Sequence, residues 1–238
     1  MGIGTGTFDI IVRGITVHVT PKRVKNIYFR VGGDGTARMS VPLGMPRAEA
    51  ERIAQAHAPW FERNVSRAQA RKPDAPTTWK TGDRLMVWGE PHVLRVEESG
   101  GPARCEARGG ELLVAVPPAT TAGGRASFVE RWLAMQLRDR LVDLLPACEQ
   151  EVGRKATQVT LRRMKSRWGS CTVKTGRIRL NTALAECPPQ CLRMVLIHEL
   201  CHLLEANHGQ RFHALMDLHC PDWRATQRWL DEHPPRYP

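Results

Sequence analysis

Residues 190–206 set the strongest constraint on what this chain can fold into. They read QCLRMVLIHELCHLLEA. A helix over this span carries Leu192, Met194, Val195, Leu196, Ile197, Leu200, Leu203 and Leu204, so apolar side chains surround it nearly completely. A helix that is apolar all round is a buried helix. This one also carries His198, Glu199 and His202. Burying two imidazoles and a carboxyl group without partners costs several kcal/mol. A metal ion with a bound water would satisfy all three.

The spacing supports that reading. Residues four apart on a helix stand one turn apart on the same face, so His198 and His202 can point at one ion. Glu199 lies about 100° round the helix from His198. It is badly placed to ligate beside the two histidines and well placed to reach a water in the open position of the ion. Two His binding zinc, with Glu as general base, is the logic of the His-Glu-x-x-His pattern. A shuffled chain of this composition would show the pattern about twice in a hundred, and the apolar context lowers that risk.

Catalytic zinc takes three protein ligands and keeps one position open. Glu205 shares the face of His198 but stands roughly 10 Å further along the axis at 1.5 Å per residue. His208 follows Asn207, and Asn can adopt the left-handed conformation that ends a helix and turns the chain back. The expected ligand set is therefore His198, His202 and His208, with Glu199 catalytic. His213 and His219 are expected to be surface or core histidines on the next helix.

The rest of the chain reads as strands first and helices last, an α+β class. Alternation marks strands over residues 10–20, 26–31 and 37–41, the last two joined through Gly32, Gly33, Asp34 and Gly35. A helix follows from near Pro46 through Ile53, Trp60 and Phe61, with Pro59 as a bend or break. Residues 72–78 (KPDAPTT) read as a linker. Strands over 84–88, 92–96, 104–107 and 111–116 come next, then a long amphipathic helix over 125–145. The two stretches are alike. Each has a hairpin ending in Val-Pro (Val41-Pro42, Val116-Pro117) and then a helix with a central Trp (Trp60, Trp132). A ββα pseudo-repeat would explain this. Residues 158–164 and 177–181 read as hairpin arms around a turn at Lys174, Thr175 and Gly176. Helices over 190–206, 210–218 and 222–231 close the chain. The expected division is a β-rich N-terminal region, 1–122, with antiparallel strands and interspersed helices, and a helical metal-binding catalytic domain, 123–238.

Composition narrows the setting. The 238 residues hold seven cysteines. The odd, scattered set argues against a disulfide framework and for reduced thiols in a cytoplasm. No apolar run approaches a membrane span, and the start, MGIGTGTFDI, lacks a secretory pattern. The net charge of +11 favours acidic partners, with nucleic acid and nucleotides among them, although the basic residues spread along the whole chain.

RWGSC (167–171), IRLN (178–181), HELCH (198–202), NHGQRF (207–212) and PDW (221–223), in this order and spacing, closely resemble the YgjP-like metallopeptidase family, which is related to the WLM and SprT-like zinc proteases. The resemblance implies a zincin-like catalytic region. Zinc would sit on His198, His202 and His208, with Glu199 as the catalytic acid/base. It also places Arg167, Trp168 and Ser170 close to the active helix. The expected function is a zinc-dependent metallopeptidase acting on a peptide or protein substrate, with an edge strand at 177–181 holding the peptide. Other divalent transition ions also accept three imidazoles. Two alternatives stand beside it: a metal-dependent nucleotide pyrophosphatase or phosphohydrolase, and a DNA-associated protease or binding module.

Overall fold

The computed structural model describes residues 6–32, 34–70 and 77–233. The linker residues 72–76 and Gly33 of the first loop lie outside them. The chain forms two compact units, Met1–Ala75 and Pro76–Pro238.

The first unit holds β1 (Phe8–Val12), β2 (Ile15–Lys22), β3 (Tyr28–Val31) and β4 (Ala37–Pro42), then α1 (Arg47–Ala56) and α2 (Ala58–Ala70). The single strand expected over 10–20 is a hairpin. Arg13 and Gly14 take φ of 46° and 83°, the double positive φ of a type I′ turn that matches strand twist. Pro46 caps α1, and α2 starts after a break at His57, with Pro59 in its first turn. Val12, Val17, Val19, Met39, Val41 and Phe61 are all buried, so one face of the sheet packs on the helices.

The second unit opens with β5 (Arg84–Val87), β6 (Glu90–Glu98), β7 (Arg104–Arg108) and β8 (Glu111–Val116). Its sheet runs β5-β6-β8-β7, the same wiring as β1-β2-β4-β3 in the first. In each, the central pair is parallel and the flanking pairs antiparallel. Trp88 and Gly89, with φ of 51° and 83°, repeat the Arg13-Gly14 turn. In both sheets, then, the repeated strand unit has four strands before its helix.

Helix α3 (Ala122–Val152) is longer than expected because Pro146 does not end it. The residue four back, Val142, is 66% exposed, so the carbonyl that Pro146 leaves unpaired stands on the solvent side, where water can meet it. Thr121 caps the start by accepting from Gly124 N–H, and Gly153 closes the end in the left-handed conformation.

A three-stranded sheet follows, in the order β10-β11-β9. It comprises β9 (Gln158–Arg162), β10 (Gly169–Thr172) and β11 (Arg177–Asn181). The expected hairpin of 158–164 with 177–181 is not formed. β9 and β11 run parallel, and β10 is the antiparallel hairpin partner of β11. A 3₁₀ turn over Thr182–Glu186 leads into α4 (Pro189–Cys201), α5 (Gln210–His219) and α6 (Trp223–Glu232). One core joins α3 and α4 with buried residues of β5–β8, among them Leu94, Leu112 and Val114. Among the described residues no helix is long and apolar enough to cross a membrane.

Candidate active site

Helix α4 begins with Pro188 as its cap and Pro189 in the first turn, where a missing N–H costs nothing. Cys191, Leu192, Met194, Val195, Leu196, Ile197, Leu200 and Cys201 are all buried, and so is Glu199. The helix stops at Cys201, five residues earlier than the sequence suggests. Leu203 and Leu204 donate to carbonyls three residues back, a tightening typical of a helix end. Asn207 is not in the left-handed region, so the reversal is made by this tight turn. The side chain of Glu205 accepts from Asn207 N–H and stands 3.8 Å from Arg211, turned to the surface.

The turn brings three imidazoles together. Ligand atoms of His198, His202 and His208 all lie within 4.8 Å of one another. His198 Nε2 and His208 Nε2 are 3.0 Å apart. A tetrahedral ion about 2.0–2.1 Å from each nitrogen would set such a pair about 3.4 Å apart, so the His198–His208 pair is close to that spacing and the three imidazoles make a donor set that suits a zinc ion. His202 Nδ1 donates to the carbonyl of Glu205 at 3.2 Å. That bond fixes the tautomer and leaves Nε2 as the free donor atom. His213 stacks on Trp223 at 5.6 Å. His213 and His219 lie outside the group of three.

Burial sets the charge states. It pushes His198 down to about 3, helped by its two histidine neighbours, and lowers His202 and His208 as well. Neutral imidazoles are the form that ligates a metal. Burial also pushes Glu199 up to about 8, partly opposed by the Arg167 guanidinium. An adjacent divalent cation would favour the ionised carboxylate.

These shifts predict a pH profile for the metal-stripped chain. Each histidine titrates lower in the fold than its ordinary 6.5. The unfolded chain therefore binds protons that the native one does not, and stability is lost as pH falls below about 6.5. Glu199 is the opposite case. Its native value of about 8 exceeds the ordinary 4.5, so its contribution is complete below pH 4.5 and lost as pH rises toward 8. Denaturant midpoints in chelator should peak near pH 6.5, and added zinc should remove the alkaline decline. A metal-free profile that keeps rising from 6.5 to 8 would contradict the Glu199 shift.

Three neighbours complete the site. Phe212 of α5 is buried and packs against all three rings, with centroids 4.9, 4.7 and 4.7 Å away. It lies four residues past His208, a spacing that could have flagged it. Asn181 is fully buried. Its amide donates to the carbonyls of Met164 (2.8 Å) and Arg167 (2.7 Å), and its oxygen accepts from Met164 and Ala183 N–H. It caps the 3₁₀ turn and also ties down the segment before β10. Trp168 packs against the main core.

Gly169 is the third. A Cβ there would press on the Glu199 side chain, 2.8 Å from Cγ and 2.9 Å from Cδ. No periodicity reveals this contact, because it joins β10 to α4. Gly169→Ala should shift the Glu199 carboxylate and lower kcat about 10²-fold, the scale for an ångström of misplacement. Zinc content should stay intact. Loss of zinc from this variant would mean that the glycine shapes the histidine cluster instead.

Over residues 25–233 the chain matches the model of the YgjP-like family, described as a metallopeptidase domain. The chain belongs to the YgjP-like metallopeptidase family. As a YgjP-like chain it is a metallopeptidase-like hydrolase. The solved zymogen of abylysin from Pyrococcus abyssi is 23% identical with a TM-score of 0.36, over 39% of this chain and 94% of that one. The zymogen of jannalysin from Methanocaldococcus jannaschii is 19% identical with a TM-score of 0.33, over 37% and 94%. Both are metallopeptidases. No curated protein matches the YgjP-like chain.

Proposed function

We propose that this chain hydrolyses peptide bonds with one zinc ion held by His198, His202 and His208 and with Glu199 as general base. The observation that carries the reading is the clustering of three imidazole donors within 4.8 Å at the end of a buried helix, next to a carboxyl group buried among apolar neighbours. When bound, zinc would acidify a water and polarise the scissile carbonyl. Glu199 takes the proton of the attacking water and delivers it to the leaving nitrogen. Gly169 leaves room for that carboxylate, and Phe212 fixes the rings. We place the chemistry in residues 123–238, braced by the core shared with β5–β8.

The substrate strand is assigned to β10. β11, which the sequence pointed to, is the middle strand of its sheet, whereas β10 is an edge strand and its Gly169 faces Glu199. An extended peptide can add to such an edge through main-chain hydrogen bonds.

The test is elemental analysis of pure protein, followed by an assay against unfolded proteins and against nucleoside triphosphates. About one zinc per chain and cleavage of unfolded proteins are expected. Hydrolysis of triphosphates with no proteolysis would replace the peptidase reading with a phosphohydrolase.

A further inference from the structure

The sheet of the first unit has an exposed outer side. Its inward residues pack on α1 and α2, while His18, Arg30, Arg38 and Tyr28 on the outer side are exposed among the described residues. Strand register sets those residues in rows. His18 of β2 is opposite Arg38 of β4, and Arg38 is opposite Arg30 of β3. In the next outward row Thr20 and Ser40 lead to Tyr28, whose side chain is 55% exposed. Lys22 follows at the end of β2.

Arg30 and Arg38 directly opposite each other repel. Among the described residues neither guanidinium has a carboxylate within ion-pair distance. Arg38 acts weakly on Asp34, whose side chain is held by Thr36 N–H at 3.0 Å. Only His18 is paired, with Asp9 at 2.6 Å.

The topology does not demand this arrangement, because the second sheet has the same wiring and a mixed, paired charge pattern. There the corresponding row is Arg95, Leu113 and Glu106. Arg95 lies 3.0 Å from Glu97 and 3.7 Å from Glu111. One copy neutralises its outer face. The other leaves two guanidinium groups side by side with an exposed aromatic ring one row away.

We propose that this face binds single-stranded nucleic acid, with phosphates bridging Arg30 and Arg38 and a base stacked on Tyr28. Guanidinium forks suit phosphate oxygens. Stacking on an aromatic ring is how sequence-tolerant single-strand binders hold bases. An acidic polypeptide would use the arginines but gain little from Tyr28. The site is independent of the histidine cluster.

The experiment is fluorescence anisotropy of a labelled oligodeoxythymidylate with the full chain across a salt series, beside labelled polyglutamate. Affinity for the oligonucleotide should fall linearly with the logarithm of salt. The double variant R30E/R38E should weaken binding at least about tenfold and reduce the salt slope by about 1.4, at about 0.7 per phosphate contact. Tyr28→Ala should weaken the oligonucleotide roughly 5- to 100-fold and leave polyglutamate unchanged. Circular dichroism and zinc content of the variants should match the parent. No binding at low salt, unchanged affinity in the double variant, or equal loss of both probes in Tyr28→Ala would each overturn the proposal. Preference for polyglutamate would assign the face to acidic polypeptides instead.

Discussion

Glu199→Gln should keep about one zinc per chain and lose turnover by about 10²–10⁴-fold, the range for a general acid–base group. Burial already holds the Glu199 carboxyl of the metal-free chain up to about 8, so near neutral pH that chain carries mostly the protonated form. The amide is close to this form in shape and charge. The fold therefore loses little, and α4 still presents His198 and His202 from adjacent turns. What disappears is the capacity to take a proton. The same variant should also flatten the decline in metal-free stability above pH 6.5. Zinc content, denaturant midpoint and peptide cleavage separate these effects. A variant that cleaves at the parent rate would remove Glu199 from the mechanism.

His202→Ala should do the opposite and empty the site. His202 is buried, its Nδ1 is committed to the Glu205 carbonyl, and its ring stacks on Phe212 at 4.7 Å and 30°. Without it two imidazoles remain, fewer than catalytic zinc uses. After dialysis zinc should fall from about one per chain to near zero, and activity by more than about 10³-fold. The stabilisation that saturating zinc gives the parent, about 2.7 kcal/mol at a hundredfold excess over Kd, should vanish. The metal-free variant should also be somewhat less stable than the metal-free parent, because truncation removes the stack on Phe212 and the bond to the Glu205 carbonyl, so the zinc effect is read as the difference with and without metal in each protein. Retention of tightly bound zinc would show that the metal is held elsewhere.

The readable parts of this protein were those set by short-range pattern. The apolar circumference of α4 announced its burial, and the four-residue spacing of His198 and His202 announced their shared face. The second sheet was legible strand by strand from alternation. What escaped were features that depend on distant partners or on rare backbone states. The Arg13-Gly14 turn lacks the usual Asn-Gly or Asp-Gly signal, so β1 and β2 read as one strand. The parallel pairing of β9 with β11 leaves no local mark, and their shared turn signal belonged to β10. Gly169 falls between the strands that the sequence suggests, and nothing marks it until Glu199 is seen against it. Asn207 has the right chemistry for a left-handed stop, but bonds within 200–205 finish the helix first.

The two β sheets share one wiring plan, yet only the second has its Trp88-Gly89 turn bonded to the stretch leading into α4. There Trp88 N–H and Gly89 N–H donate to the Ala185 and Glu186 carbonyls, and a Cβ at Gly89 would strike Pro188. At the matching Gly14 a Cβ would meet nothing within 4 Å. One corner is thus spare and the other committed. A side chain at Gly14 would strain the turn through its φ of 83° but strike no neighbour, whereas one at Gly89 would be wedged against the doorstep of the helix that carries the chemistry.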